Sequence, residues 1–196
     1  MIYDISQPVF ESTAYPGDPE PKKKLLASLE NGDDCNLSAF SMCAHNGTHV
    51  DAPLHFLKEG KGVGAVALEK FVGPAYVGTV RCDVGEREAR ALLQAAQNAH
   101  PGAQRRILIR GDATVTEEAA AVFAAAGIDL IGNESQSVGP EDAPAAVHLA
   151  LLSAEVVLLE GIRLDAVPDG AYMLNCAPLN LGDCDGAPCR AILMDL

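Results

Sequence analysis

From residue 75 to the carboxyl terminus, short apolar runs alternate with longer stretches rich in Ala, Glu and Gln. The short runs predict strands, and the longer stretches have the composition of helices. The predicted strands cover residues 75–84, 106–110, 156–160, 172–176 and 190–194, and another begins at 129–131. The predicted helices cover residues 86–98, 117–125 and 142–152, and Gly127 is suited to cap the second. This alternation, after a strand-rich start, predicts an α/β fold: a single domain over residues 1–196 with a mixed β-sheet and flanking helices.

The composition narrows the class of protein. The chain has 196 residues, 48% of them hydrophobic, which is enough for one well-buried domain. It lacks both an apolar run of membrane-spanning length and a signal-peptide pattern, so we expect a cytoplasmic protein. The net charge of −13 disfavours nucleic acid and anionic membranes as partners. The six scattered cysteines are expected to be reduced.

Candidate chemistry is concentrated in residues 45–55, which read HNGTHVDAPLH and hold three of the five histidines. His45, His49, Asp51 and His55 all have the same parity, so in a strand they would project from one face. Imidazole and carboxylate groups are the usual ligands of zinc and manganese. The alternative is a set of unrelated polar residues on an exposed strand. Four potential ligands on one face favour the metal site.

Spacing along this segment predicts a bend. His49 and Asp51 would lie about 6.6 Å apart along a strand, close enough to share an ion. His45 and His49 would lie roughly 13 Å apart on a straight strand, which is too far. Gly47 permits the chain to bend between them. Pro53 should end the strand and leave His55 in a loop at the rim of the site.

The same residues resemble the signature of the putative-cyclase family, His-x-Gly-Thr-His-x-Asp-x-Pro-x-His, which includes bacterial kynurenine formamidases and isatin hydrolases. Weaker similarity extends along most of the chain, from Asp4-Ile-Ser and Tyr15-Pro-Gly-Asp to Leu-Glu160-Gly and Ala177-Pro-Leu. The resemblance implies a swivelling β/β/α fold and a two-metal hydrolase that assembles as a homodimer or homotetramer. It further implies the following ligands and roles: His45, His49, Asp51, His148 and Glu160 bind metal, and His55 transfers protons.

The chemistry of the later pair agrees with this assignment. His148 lies in a predicted short helix, and Glu160 ends an apolar run that predicts a buried strand. A carboxylate in that position is costly to bury unless it is paired or bound to metal. An ordinary surface histidine is the alternative for His148, and the upstream motif makes it the weaker one.

These residues lead to a mechanistic hypothesis. His45, His49 and Asp51 hold one divalent ion, and His148, Asp51 and Glu160 hold the other, with both carboxylates bridging. The ions are expected to be zinc, with manganese as an alternative. A metal-activated hydroxide would attack the carbonyl carbon of a small amide, and His55 would deliver a proton to the leaving amine.

Two departures from the family leave the substrate open. Tyr15 stands where the formamidases have the Trp that packs on the aryl substrate, and it is the candidate substrate-binding residue. The segment between Arg110 and Glu117 is also shorter than in relatives. An arylformamidase is therefore the first expectation, a hydrolase of a cyclic amide such as isatin the second, and a non-catalytic metal-binding protein the third.

Two other segments need a separate interpretation. Cys184 and Cys189 lie in a loop rich in Gly and Asp and could form part of a second metal site. No further His or Cys pair completes such a site. The basic run at residues 22–24 is expected to be a solvated loop.

Overall fold

The computed structural model describes residues 1–196 and contains three helices and eleven strands. The helices are α1 (Glu86–Ala99), α2 (Glu117–Ala126) and α3 (Ala145–Ser153). The strands are β1 (Ile2–Asp4), β2 (Lys22–Ala27), β3 (Leu37–Ser41), β4 (His49–Asp51), β5 (Val72–Thr79), β6 (Arg106–Arg110), β7 (Leu130–Asn133), β8 (Val157–Glu160), β9 (Gly170–Asn175), β10 (Gly186–Pro188) and β11 (Ile192–Asp195). No helix combines the length and apolar character needed to cross a bilayer.

Nine strands form one mixed sheet in the order β1-β11-β9-β5-β6-β7-β8-β4-β10, and β2 and β3 form a separate hairpin. The central strands β5 to β8 pair in parallel, and the outer strands pair antiparallel. Each parallel pair is connected through a helix, because a parallel neighbour requires a crossover. The predicted mixed sheet with flanking helices is confirmed.

The sheet has a hydrophobic core on each face. In β6, Ile107 and Ile109 belong to the core shared with the three helices, whereas Leu108 points into the opposite core. That opposite core also contains Val50 from β4 and Leu193 from β11, which lie toward the two ends of the sheet. The sheet therefore curls around this second core, and its central strands are buried on both faces.

Alternation along the strands places the candidate ligands on the helix side of the sheet. In β8, Leu158 packs in the helix-side core and Glu160 has the same parity. In β4, Val50 packs in the opposite core, so His49 and Asp51 face the helices. The ligands thus converge between the end of the sheet and α3.

Most predicted elements are present, with shifted ends. The strand predicted from residue 75 to 84 begins at Val72 and ends at Thr79, because its first residues pair with β9 and the chain then leaves the sheet. The third helix begins at Ala145 rather than Asp142, since residues 140–143 form a turn and Pro144 precedes the helix. The loop prediction for residues 22–24 is wrong: they form an exposed edge of β2, paired with β3.

Candidate metal centre

Strand register brings the first three candidate ligands together. In the antiparallel pair of β4 and β8, His49 lies directly opposite Glu160. His49 Nε2 is 3.3 Å from Glu160 Oε2 and 3.5 Å from Asp51 Oδ1. All three side chains are buried, and their potential ligand atoms lie within 4.8 Å of one another.

A bend at Gly47 orients His49, as the spacing predicts. Gly47 has φ +64°, and a Cβ there would lie 2.9 Å from the Cβ of Ser12, so both the conformation and the space favour glycine. His49 Nδ1 donates to the carbonyl of Gly47 at 3.0 Å, which leaves Nε2 directed at the carboxylates. This arrangement fixes the tautomer that binds metal through Nε2.

Helix α3 supplies His148 from a distant part of the sequence. His148 Nδ1 donates to the carbonyl of Pro144 at 2.9 Å. His148 Nε2 lies 3.3 Å from Glu160 Oε1 and 3.6 Å from Asp51 Oδ2. The hypothesis that His148 and Glu160 lie beside the 45–51 cluster is therefore confirmed as a matter of geometry.

His45 reaches the site from a turn, so the part of the prediction that put it in a strand is wrong. Residues 44–48 are turns and bends, because the chain must reverse through Gly47 before β4 begins. His45 Nδ1 is 2.9 Å from Asp51 Oδ1, and His45 Nε2 is 2.9 Å from Asp185 Oδ2. The turn shortens the separation that a straight strand would impose.

His55 lies where Pro53 was expected to put it. The 3-10 turn Pro53–His55 follows β4, and the His55 side chain is partly exposed at the rim. Its ring stacks on His45 with centroids 4.1 Å apart, and its Nδ1 is 3.3 Å from Asp185 Oδ2. His45, Asp51 and His55 also form a second group of potential ligand atoms within 4.8 Å.

Asp185 is the functional candidate that the sequence reasoning missed. It precedes β10, whose Gly186 pairs with Asp51, and this pairing carries Asp185 to His45 and His55. An Asp-Gly pair in a polar loop resembles an ordinary turn, so the sequence offers little signal. Neither Cys184 nor Cys189 is part of a potential metal cluster, and burial raises the pKa of Cys189 to about 12.

The carboxylates and histidines perturb one another strongly. Burial opposes protonation of His45, but the hydrogen bonds and charges of Asp51 and Asp185 outweigh it and raise its pKa to about 9. Burial likewise opposes the charged form of Asp51, yet the His45 hydrogen bond and the neighbouring histidines lower its pKa. Burial also works against the cationic forms of His49 and His148, whose pKa values are nevertheless raised, chiefly by Glu160. The carboxylates thus favour the protonated forms of these histidines.

The donor set fits a divalent metal ion. His49 Nε2 and Asp51 Oδ2 are buried and have no hydrogen-bond partner. Buried polar atoms are rarely left unpaired, and here they face other nitrogen and carboxylate donors. Nitrogen and carboxylate ligands are the combination that zinc and similar ions take in proteins.

A cavity of about 390 Å³ opens over these ligands. Tyr15 lines it, and its hydroxyl donates to the carbonyl of Glu141. Phe56 also lines it, with its ring centroid 4.7 Å from that of His148. The complete lining is Tyr15, Asp18, Cys43, His45, His49, His55, Phe56, Gln136, Ser137, Pro144, His148, Glu160 and Asp185.

This fold and buried His/Asp/Glu cluster define the class: a metal-dependent hydrolase. The model of the family described as "Putative cyclase" matches residues 3–140, and the chain belongs to that family. The kynurenine formamidase of Bacillus mycoides (strain KBAB4) is 35% identical over 204 residues, covering 97% of this chain and 95% of that protein.

Solved structures share the fold. A predicted metal-dependent hydrolase from Bacillus stearothermophilus has a TM-score of 0.81 at 27% identity, over 98% of this chain and 97% of that one. Isatin hydrolase A from Labrenzia aggregata has a TM-score of 0.84 at 19% identity, over 100% of this chain and 93% of that one. The curled mixed sheet with helices on one face is thus the fold of the cyclase family.

Proposed function

We propose that this protein hydrolyses the amide bond of a small N-acyl aryl amine, as an arylformamidase does. The observation that carries the proposal is the convergence of four almost fully buried groups, His49, Asp51, His148 and Glu160, all of which except Asp51 line the cavity. The 35% identity to a kynurenine formamidase over nearly the whole chain supports this substrate class. The reaction breaks a carbon–nitrogen bond other than a peptide bond.

We propose that the centre holds two divalent ions, zinc or alternatively manganese. Asp51 directs Oδ1 toward His45 and His49, whereas its Oδ2 faces His148. Glu160 divides its oxygens in the same way between His49 and His148. Asp51 and Glu160 would thus help to hold both ions, one together with His45 and His49 and the other together with His148. Such ions, when bound, polarise a carbonyl oxygen and make water a competent nucleophile at neutral pH.

In this mechanism His55 transfers the proton to the leaving amine. It lies at the rim, stacked on His45, and is partly exposed, so it can exchange protons with both substrate and solvent. Asp185 Oδ2 lies beside its Nδ1 and orients the ring, leaving Nε2 free for transfer to the departing nitrogen. Asp185 also contacts His45, so one carboxylate positions both rings. An aryl amine needs less assistance to leave than an alkyl amine, which suits a single proton donor.

Hydrolysis of a cyclic amide is the second candidate. It is supported by Tyr15 in the cavity wall, which replaces the Trp typical of the formamidases. The short connection between Arg110 and α2 supports it too, because it leaves out the aromatic insertion of relatives. A non-catalytic metal-binding role is the third candidate, and the placement of His55 and Asp185 at the open rim of the cavity argues against it.

A substrate screen of the metal-loaded protein tests the proposal. Metal content is measured first, and the protein is then assayed on formanilide, N-formylkynurenine and isatin. Hydrolysis that is lost on chelation and restored by zinc or manganese supports the proposal, and the preferred substrate separates the first two candidates. Stoichiometric metal binding without turnover of any amide supports the non-catalytic alternative. His100→Ala is the matched control, because His100 lies outside the cavity.

We also propose that the protein forms a homo-oligomer through the β2–β3 hairpin. Leu25 and Phe40 share one face of the hairpin and are each more than half exposed, and exposed apolar groups of this kind mark interfaces. A second copy is the fitting occupant, since the chain carries a net charge of −13 and the hairpin displays three consecutive lysines. Light scattering should give a dimer or tetramer that Phe40→Asp weakens and Leu68→Asp, at an exposed site elsewhere, leaves intact. A monomeric wild type would contradict the proposed assembly.

We also propose a cytoplasmic location for the protein, which its six free thiols support.

A further inference from the structure

The carboxamide of Gln136, a residue that lines the cavity over the metal centre, is unpaired at both ends. Gln136 is only 8% exposed, and neither its Nε2 nor its Oε1 has a hydrogen-bond partner. Because both atoms are unpaired, this conclusion does not depend on which end of the amide is nitrogen. Burying a carboxamide without hydrogen-bond partners is unfavourable, so such a group calls for an explanation.

The backbone around Gln136 is tied to the metal centre. The carbonyl of Ser135 accepts from the N–H of Gly161 at 2.7 Å, and the N–H of Val138 donates to Glu160 Oε1 at 2.7 Å. The carbonyl of Ser137 accepts from Asn133 Nδ2 at 2.9 Å. These bonds hold the loop on both sides of Gln136 and fix the position of its backbone beside Glu160.

The chain also leaves room for the carboxamide. Gly161 has φ +67°, and a Cβ there would lie 2.4 Å from Gln136 Nε2 and 2.3 Å from the carbonyl oxygen of Gly47. Gln136 lines both the active cavity and an adjoining polar cavity that contains Arg163 and Glu141. Gln136 therefore lies between the cavity over the metal centre and the polar cavity beside it.

Gln7 shows what a structural glutamine looks like in the same place. It is equally buried and lies against the same Gly161, but its Nε2 donates to the Gly161 carbonyl at 2.8 Å. Its Oε1 accepts from the N–H of Thr13 at 3.1 Å. Both ends of the Gln7 carboxamide are hydrogen-bonded within the fold, whereas neither end of the Gln136 carboxamide is.

We propose that Gln136 is a specificity-determining residue that binds the substrate through a donor and an acceptor in one plane. Its partner is a substituent with the same paired character, such as a carboxamide carried on the aryl ring. A carboxylate would satisfy only the N–H side and a plain aryl ring neither side. The proposal rests on the amide-hydrolase function above and adds the class of substituent that the enzyme prefers.

Two substrates that differ only in this substituent test it. Wild-type enzyme is assayed on formanilide and on 2-formamidobenzamide, together with Gln136→Leu and the surface control Gln97→Leu. Two neutral hydrogen bonds contribute about 0.5–1.5 kcal/mol each, so Gln136→Leu should lower kcat/KM for 2-formamidobenzamide about 5- to 150-fold. The same variant should change kcat/KM for formanilide about twofold or less. Equal losses on both substrates, or no loss on either, would overturn the proposal.

Stability separates binding from a structural role. Gln136→Leu should leave the melting temperature unchanged or raise it, because an unpaired polar group is replaced by an apolar one. Gln7→Leu should lower it, since two hydrogen bonds are lost. A clear loss of stability in Gln136→Leu would assign Gln136 to the fold and overturn the proposal.

If the wild type hydrolyses neither amide, the proposed function fails and calorimetry decides the role of Gln136. Tighter binding of 2-aminobenzamide than of aniline, with the difference lost in Gln136→Leu, supports the proposal. An unchanged difference, or no binding by the wild type, overturns it.

Discussion

His49 and Glu160 lie directly opposite each other in the antiparallel pair of β4 and β8, with Nε2 and Oε2 3.3 Å apart. Cross-strand neighbours on one face have Cβ atoms roughly 4.5–5.5 Å apart, which is the separation that two ligands of one ion require. The pairing register of two strands distant in sequence therefore brings His49 and Glu160 together. Asp51 and His148 complete the set of buried ligands.

Glu160→Gln should remove metal while preserving the fold. Glutamine keeps the oxygen that accepts from the N–H of Val138 but loses the negative charge that faces His49 and His148. Elemental analysis after reconstitution should fall from about two equivalents to about one or fewer. Glu59→Gln, at an exposed site, serves as the control. A wild type fixed at one equivalent, with Glu160→Gln unchanged, would remove the two-metal model.

Asp51→Asn should be more damaging than Glu160→Gln. Asp51 directs one oxygen at His45 and His49 and the other at His148, and it is common to both groups of potential ligands. Loss of its charge should therefore weaken both positions, and the reconstituted protein should retain little of either equivalent. Retention of one full equivalent would show that Asp51 is not shared.

His55→Ala should retain metal and lose turnover. Its loss should lower kcat by roughly 10²–10⁴-fold if the ring acts as general acid and base. Metal content and melting temperature are measured beside the rate, with His100→Ala as the control histidine. Since His55 also lies within ligand distance of His45 and Asp51, loss of one metal equivalent would assign it as a ligand instead. Full activity of the variant would place the proton donor elsewhere.

The chelated protein should lose stability as pH rises from about 6.5 to about 9. The pKa of His45 is raised from 6.5 to about 9 in the folded state, so the folded chain holds a proton that the unfolded chain releases. Its stabilising contribution is complete below about pH 6.5 and is lost as pH approaches 9. Urea midpoints should therefore decline across this interval, and His45→Gln should flatten the decline. A midpoint independent of pH in the wild type would refute the coupling of His45 to Asp51 and Asp185.

The order of elements and part of the site could be predicted from the sequence. Residues 106–110 form the predicted strand with the same bounds, because three consecutive apolar residues flanked by arginines are a local signal. The left-handed cap at Gly127 and the bend at Gly47 were predictable too, since both depend on the backbone freedom of one residue. The shared face of His49 and Asp51 follows from the two-residue repeat of a strand.

Tertiary structure alone decided the rest. No local pattern specifies that β4 pairs with β8, that α3 returns to Asp51, or that the loop before β10 carries Asp185 to His45. Nor does composition reveal that Gln7 is satisfied while Gln136 is not. Residue spacing fixes only what lies within a few residues along the backbone. Neighbours a hundred residues apart are chosen by sheet order and packing, where burial and hydrogen bonding of the whole chain are optimised together.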